Sequence, residues 1–306
     1  MTNPNCLSKK PNRREFVKIA SGLVIGGVAG CDGWFSGHGN INELPIAEHP
    51  LYLPRGPINI RVRIGRFRDG ESCFVSGENI SLQNNKWLLP KSMAKIFDEQ
   101  QNNQLVSAKK THSIGRGAEQ KKITGRLHLH SRSDIDNNAF DLIAHIPLEE
   151  YLPGVLAGEL YAHWHPDTFA AQAVAARSYA VVQHLNRVEK SHFDLNNTAA
   201  SQMFLGDVTL DVAHRAVQET KGIVLSWNNT VVPAYYSACC GGKAATANNG
   251  IGDSEYHNIP PLKGRLGQDV CANLNISQWT ARRPSRVFRE RINYCAKKIN
   301  NIQYKI

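Results

Sequence analysis

The chain has 306 residues, of which 42% are apolar, 20% charged and 8% aromatic, enough to bury a sizeable core in one large domain or two small ones. This composition excludes the charged, apolar-poor class of disordered chains, and no run reaches the ~20 uninterrupted apolar residues of a membrane-spanning helix. The formal charge is +10, from 36 basic and 26 acidic residues, but no basic stripe interleaved with stacking aromatics accompanies it, so nucleic acid is not an expected partner.

The N-terminus reads Arg13-Arg14-Glu15-Phe16-Val17-Lys18, followed by a mildly apolar run from Ile19 to Gly30 and then Cys31. A basic start, a short apolar core and small residues before a cleavage point make a secretory signal. The paired arginines resemble a twin-arginine signal, and Val28-Ala29-Gly30-Cys31 resembles a lipobox. Residues 1–30 are therefore expected to be a signal peptide, and Cys31 the site of lipidation. The expected location is the cell envelope, with a lipid anchor at the membrane facing the cell wall or periplasm. Phe16 to Gly30 is too short to span a bilayer. Removing residues 1–30 takes five basic side chains and one acid, leaving 31 against 25, or +6. A mildly basic exported surface suits anionic cell-wall polymers.

Residues 31–57 are rich in Gly, Asn, Pro and His and read as a linker. Ile58, Ile60, Val62 and Ile64 alternate with Asn59, Arg61 and Arg63, a period-two strand signal. Similar alternation recurs around Ile123, Leu127 and Leu129 and from Phe140 to Ile146, so this half is expected to be strand-rich. Asp167–Arg187 lacks Gly and Pro and is dense in Ala, which predicts a helix started by Pro166. Its narrow face carries Phe169, Ala173, Ala176 and Ala180. A second helix is predicted over Leu210–Lys221, ended by Gly222. A hairpin is predicted around Asn228-Asn229, and a short basic helix in the tail, residues 286–306. The expected fold class is α+β. Glu149 and Glu150 follow Pro147 at a helix start, where acids suit the dipole, and read as structural.

The most distinctive stretch runs from Glu149-Glu150-Tyr151-Leu152-Pro153-Gly154 through Glu159-Leu160 and Trp164-His165-Pro166 into Ala171-Gln172-Ala173-Val174-Ala175-Ala176-Arg177-Ser178-Tyr179. Two further blocks follow, Asp194-Leu195 with Gln202-Met203-Phe204 and Gly206, and Ala234-Tyr235-Tyr236-Ser237-Ala238-Cys239-Cys240-Gly241-Gly242. Cys271 and Trp279 form a later pair. In order and spacing these blocks resemble the SpoIID/LytB family, the stage II sporulation protein D-like peptidoglycan lytic transglycosylases and amidase enhancers. The resemblance implies a SpoIID-like domain over residues 58–285, with a strand-rich N-terminal part and a mixed helix and hairpin catalytic part.

It also implies a lytic transglycosylase that cleaves peptidoglycan glycan strands, preferably those lacking stem peptides, and leaves 1,6-anhydro-muramic ends. Glu159 stands where the family has its catalytic glutamate. Glycosidases ordinarily use two carboxylates. Here the muramic 6-hydroxyl supplies the nucleophile, so one group acting as acid and then base suffices. Such a group works best with a pKa raised toward about 6–7 by partial burial, for which Val155, Leu156, Leu160 and Trp164 are the expected apolar wall. Gln172, Arg177, Gln202, Tyr236 and Ser237 fall in or beside the matched blocks and are the expected substrate-binding residues. Arg177 suits either a sugar oxygen or a structural acid. The rival reading in the same family is a non-catalytic wall-binding protein that stimulates an amidase. A water-using hydrolase would need a second carboxylate, Asp167 or Asp194, about 5–9 Å from Glu159.

No cofactor and no metal is expected. Some family members carry Cys and His zinc ligands before the matched Gln, where this chain has Asn196, Ala200 and Ser201. His128 and His130 alternate with Leu127 and Leu129, which predicts a solvated histidine face; His163 and His165 equally lack partners for a zinc site. The seven cysteines fit export. From the matched blocks the preferred disulfide is Cys240 with Cys271, with Cys239 as the substitute partner. A reactive cysteine is disfavoured.

Overall fold

The computed structural model describes residues 56–264, apart from 101–102, 117–118, 135–138, 239–243 and 253, together with Arg286. The signal, Cys31, almost all of the linker, Cys240, Cys271 and the basic tail beyond Arg286 lie outside the described residues. The chain divides into two compact units, Met1–Tyr236 with Ala247–Lys263, and Ser237–Thr246 with Gly264–Ile306. In the second, Gly264 has φ +77°, and a Cβ there would lie 2.5 Å from the Ala244 carbonyl.

The frame of the first unit is a six-stranded sheet in the order β11 (Leu195–Asn196), β1 (Asn59–Arg68), β10 (Ala139–Pro147), β9 (Arg126–Arg132), β6 (Gln104–Ser107) and β5 (Phe97–Gln100). Strand β1 (Asn59–Arg68) pairs antiparallel with β10 (Ala139–Pro147), setting Ile60 against Ile146 and Val62 against Ala144, while β9 (Arg126–Arg132) flanks β10 on its other edge. The alternation read in the sequence is the pleat: Ile60, Val62, Leu127, Leu129, Phe140, Leu142 and Ala144 are all buried on one face. Between β1 and β9 the chain builds β2 (Ser72–Val75), β3 (Glu78–Gln83), β4 (Lys86–Leu88), a helical turn α1 (Lys91–Ala94), β5 (Phe97–Gln100), β6 (Gln104–Ser107), β7 (Thr111–Arg116) and β8 (Glu119–Thr124). Five of these form a second antiparallel sheet, β4-β3-β2-β7-β8, whose core includes Cys73, Ile80 and Ile123. Asn84 and Asn85 both have positive φ between β3 and β4, as the two-residue hairpin turn requires.

Helices follow the strands. Leu148–Glu159 forms α2, Pro166–Arg187 forms α3 and Asp211–Glu219 forms α4, and the three pack on one another. The predicted long helix differs only by including Pro166, and the second is shorter, since Thr220 and Gly222 turn the chain away. A two-residue strand β11 (Leu195–Asn196) adds parallel to the edge of β1. The predicted hairpin is β12 (Ser226–Trp227) and β13 (Thr230–Val231), with Asn228 and Asn229 at φ +45° and +59°. A last turn, α5, covers Ala247–Gly250. Among the described residues no helix is long and apolar enough to cross a membrane.

The opposite face of the large sheet departs from expectation. His128 and His130 are half-buried, because His145 stacks on His128 at 3.6 Å and His192, from the segment after α3, stacks on His130 at 4.3 Å. Burial, reinforced by neighbouring cations, pushes His128 and His130 down to about 4 and His145 to about 3. On the same face the fully buried Asp141 accepts from Arg66 at 2.7 Å and lies 2.7 Å from His192 Nε2. Asp194, also buried, pairs with Arg61 and lies 2.8 Å from His184 Nδ1. These pairs bolt the end of α3 and the β11 segment to the sheet. Such buried pairs cost several kcal/mol when one partner is removed.

Candidate active site

Glu159 is the last residue of α2, and its position is set by glycines one helical turn apart. A Cβ on Gly154 would meet the carbonyl of Gly206, and one on Gly158 would lie 2.5 Å from the carbonyl of Met203. The bare face lets the helix touch the backbone of 203–206, where the Leu205 N–H donates to the Gly154 carbonyl at 3.2 Å. The Met203 N–H then donates to Oε1 of Glu159 at 2.8 Å. The far side of this segment is clamped too. Gly206 has φ +87°, and a Cβ there would lie 2.5 Å from the Lys122 carbonyl, while the Asp207 carboxylate accepts from Thr124 N and Oγ1 at 2.9 and 2.7 Å. Glu159 is half-buried. Of its expected apolar wall, Val155 and Leu156 are fully buried and Leu160 partly so, whereas Trp164 is 41% exposed.

Helix α3 presents Gln172 and, two turns on, Tyr179. The Tyr179 ring meets Tyr235 and Tyr236 edge-on, at 5.9 and 6.5 Å. The Tyr236 hydroxyl lies against the amides of Gln202 and Gln172 and in the field of Glu159. Burial, and after it the Glu159 carboxylate, push this phenol up, so it keeps its proton. Despite their contact, Tyr236 Oη and Gln172 Nε2 are both buried without a well-formed hydrogen bond. Orphaned buried polar atoms are uncommon and mark places where a ligand or water completes the pairing. Next to them Tyr235 Oη and His257 Nε2 are 2.6 Å apart.

Two expected substrate contacts are corrected. Arg177 is 1% exposed and grips Glu149 bidentately, Nε to Oε1 at 3.0 Å and Nη2 to Oε2 at 2.8 Å. Its remaining donors go to the carbonyls of Ala173, Val217 and Ile223 and to Thr220 Oγ1. No donor is left for a sugar, so Arg177 is the structural cation joining α2, α3 and α4. Gln202 is 0% exposed; it accepts from Tyr151 Oη at 3.2 Å and donates to the Ala176 carbonyl at 3.2 Å. It is a buried strut beneath Tyr236 and not a groove residue. Ser237 is exposed and falls in the second unit. Sequence reasoning missed Met203, whose contribution is a backbone N–H, and Tyr179. The signal for the first was Gly154 and Gly158, costly inside a helix unless something comes close.

The side chains at Asn196 and Ser201 are already engaged within the protein. Asn196 Oδ1 is taken by Arg63 Nε at 2.9 Å, and Ser201 Oγ accepts the Asn196 N–H at 3.2 Å. Among the described residues no three His, Cys, Asp or Glu side chains gather to hold a metal ion. Of the candidate second carboxylates, Asp194 is engaged with Arg61 and His184, and Asp167 is an exposed first-turn residue of α3 with His165 Nδ1 3.5 Å away.

The Glu159 carboxylate at the end of α2 is thus fixed by a loop amide, with the buried Tyr236 hydroxyl in its field. Residues 136–227, which contain all of the candidate site except Tyr235, Tyr236 and His257, match the family model described as Stage II sporulation protein, SpoIID. Over 145 residues the chain is 31% identical to an uncharacterized protein of Brachyspira hyodysenteriae (strain ATCC 49526 / WA1), a stretch that is 47% of this chain and 38% of that protein. Over 97 residues, 32% of this chain and 13% of the relative, it is 35% identical to the amidase enhancer of Bacillus subtilis (strain 168). Over residues 136–227 the chain is therefore similar to the SpoIID family, and Glu159 lies within the matched residues. The chain spans well under half the length of these two relatives.

Proposed function

We propose that this domain is a peptidoglycan lytic transglycosylase with Glu159 as its acid and base. The observation that carries the reading is the Glu159 carboxyl, held through one oxygen by Met203 N–H beside the orphaned Tyr236 Oη and Gln172 Nε2. In this mechanism the protonated carboxyl gives its proton to the glycosidic oxygen between the muramic and glucosamine sugars. The bond from the anomeric carbon to that oxygen breaks, and the glucosamine leaves with a new hydroxyl. The muramic 6-hydroxyl attacks the anomeric carbon, and its proton passes to the Glu159 carboxylate, closing a 1,6-anhydro ring and restoring the acid. Tyr236 and Gln172 are donors placed to hold sugar oxygens. With Asp194 tied into its ion pairs, a water-using two-carboxylate scheme lacks one of its two candidates.

The similarity to an amidase enhancer favours a second reading, in which the domain binds glycan and stimulates a separate amidase without cutting. Export through the Arg13-Arg14 signal and anchoring through Cys31 belong to both readings. The test incubates wild type and Glu159→Gln with purified glycan strands, with and without stem peptides, and reads products by mass spectrometry. Anhydro-ended fragments from wild type alone are the expected result. Reducing ends would move the reaction to hydrolysis; intact strands with protein bound would replace the enzyme reading by the enhancer one.

A further inference from the structure

The loop between α2 and α3 exposes its largest side chains. Tyr161 is 67% and Trp164 41% exposed, while the core aromatics Tyr151, Phe169 and Phe204 are at most 2% exposed. Exposure here does not come from a loose loop. The Leu160 N–H closes the end of α2 on the Leu156 carbonyl at 3.0 Å, and the Trp164 N–H donates to the Tyr161 carbonyl at 3.0 Å. His165 Nδ1 then caps α3 by accepting the Asp167 N–H at 3.2 Å. The two rings meet edge to face at 5.4 Å and 64°, and the His163 ring lies 5.9 Å from Tyr161, nearly parallel to it. The result is a pinned pair of aromatic faces, beginning two residues after Glu159 and rimmed by His163, His165 and Asp167.

Two large aromatic rings fixed side by side in water make a contiguous exposed apolar patch, the kind of surface that receives a ligand. Two rings with a polar rim are too small for a stable protein interface, which needs about 800 Å² per partner. They match one pyranose, whose C–H face is apolar and whose edge carries hydroxyls. We propose that Tyr161 and Trp164 form a stacking platform for a sugar of the glycan strand adjacent to the bond at Glu159, and so register the strand along the site. This rests on the function proposed above, because it takes its ligand from that reading.

The test measures binding, so that cleavage does not enter it. In the full chain carrying Glu159→Gln, affinity for the N-acetylglucosamine tetramer and for stem-peptide-free strands is measured by calorimetry, with Tyr161→Ala, Trp164→Ala and Tyr161→Phe added in turn. The expected result is a loss of about tenfold or more for each alanine, near-parental binding for Tyr161→Phe, and unchanged melting temperatures throughout. Equal affinity in all variants, or no saccharide binding by the Glu159→Gln parent, overturns the platform. If wild type cuts nothing while binding still depends on both rings, the platform holds and the transglycosylase reading is the one that falls.

Discussion

Gly158 and Met203 touch backbone to backbone, and that contact decides where Glu159 points. The Met203 carbonyl occupies the space a Gly158 Cβ would need, and the Met203 N–H holds Glu159 Oε1 at 2.8 Å. Gly to Ala inside a helix ordinarily stabilises by about 0.5–1 kcal/mol. Here the sign reverses. Gly158→Ala is expected to cost about 1–3 kcal/mol, as overpacking against a backbone that cannot yield does, and to reduce glycan cleavage beyond what the lost stability explains. Urea unfolding together with product formation at low temperature checks both. A stabilised, fully active Gly158→Ala protein would mean that the helix and the 203–206 segment have slack.

Glu159→Gln retains an oxygen that accepts the Met203 N–H, so its fold is expected to be unchanged within about 0.5 kcal/mol. Loss of a general acid and base costs about 100-fold or more in rate. A normal melting curve with lost anhydro product is therefore the expected pair of results. Residual cleavage near wild-type level would remove Glu159 from the chemistry.

Arg177→Met removes the buried cation that pairs with the partly exposed Glu149 carboxylate. Water reaches part of the Glu149 carboxylate left behind, so the expected cost is about 1–3 kcal/mol, below that of a fully buried pair. The Glu149 carboxylate would keep only the Gly222 N–H, at 3.3 Å. The double variant Arg177→Met with Glu149→Leu is expected to recover much of the loss, whereas a substrate-binding arginine would show no such rescue. Chemical denaturation of the two single variants and the double variant measures it.

The histidine face makes stability depend on pH with a definite sign. His128 and His130 sit at about 4 and His145 at about 3 in the fold, against 6.5 when unfolded. Between these values the unfolded chain binds more protons, so acid favours unfolding. Their contribution is fully present above about 6.5 and is lost as pH falls from there through about 4. After discounting for partial exposure, the combined loss is on the order of 2–4 kcal/mol. Urea midpoints at pH 7 and pH 4.5 check it, and His145→Gln, which leaves His128 without its stacked neighbour, is expected to flatten the slope.

The strands around Ile60, Leu129 and Phe140, the Ala-rich helix and the Asn228-Asn229 hairpin were all legible because each rests on local periodicity or turn chemistry. The family blocks located Glu159, and burial of Val155 and Leu156 behind it follows from their helical spacing. The roles of Arg177 and Gln202 were not legible. Both stand in a motif beside the acid, yet Arg177 turns to Glu149, 28 positions earlier, and Gln202 to Tyr151, 51 positions earlier. The solvated histidine face failed for the same reason, since His192 arrives from beyond α3 to cover it.

The sequence by itself determined the strands around Ile60, Leu129 and Phe140, the Ala-rich helix, the Asn228-Asn229 hairpin and which carboxylate stands in the motif. These depend on residue types and near-neighbour spacing, which a linear reading contains. Only the tertiary structure decided which polar side chains are struts and which remain unpaired. Hydrogen bonding of a buried group is a competition among partners brought from distant parts of the chain, and the winner is set by distance and angle. Gln172 and Tyr236 are left without well-formed partners beside Glu159 while Arg177 spends every donor on the protein, a distinction that no spacing in the sequence encodes.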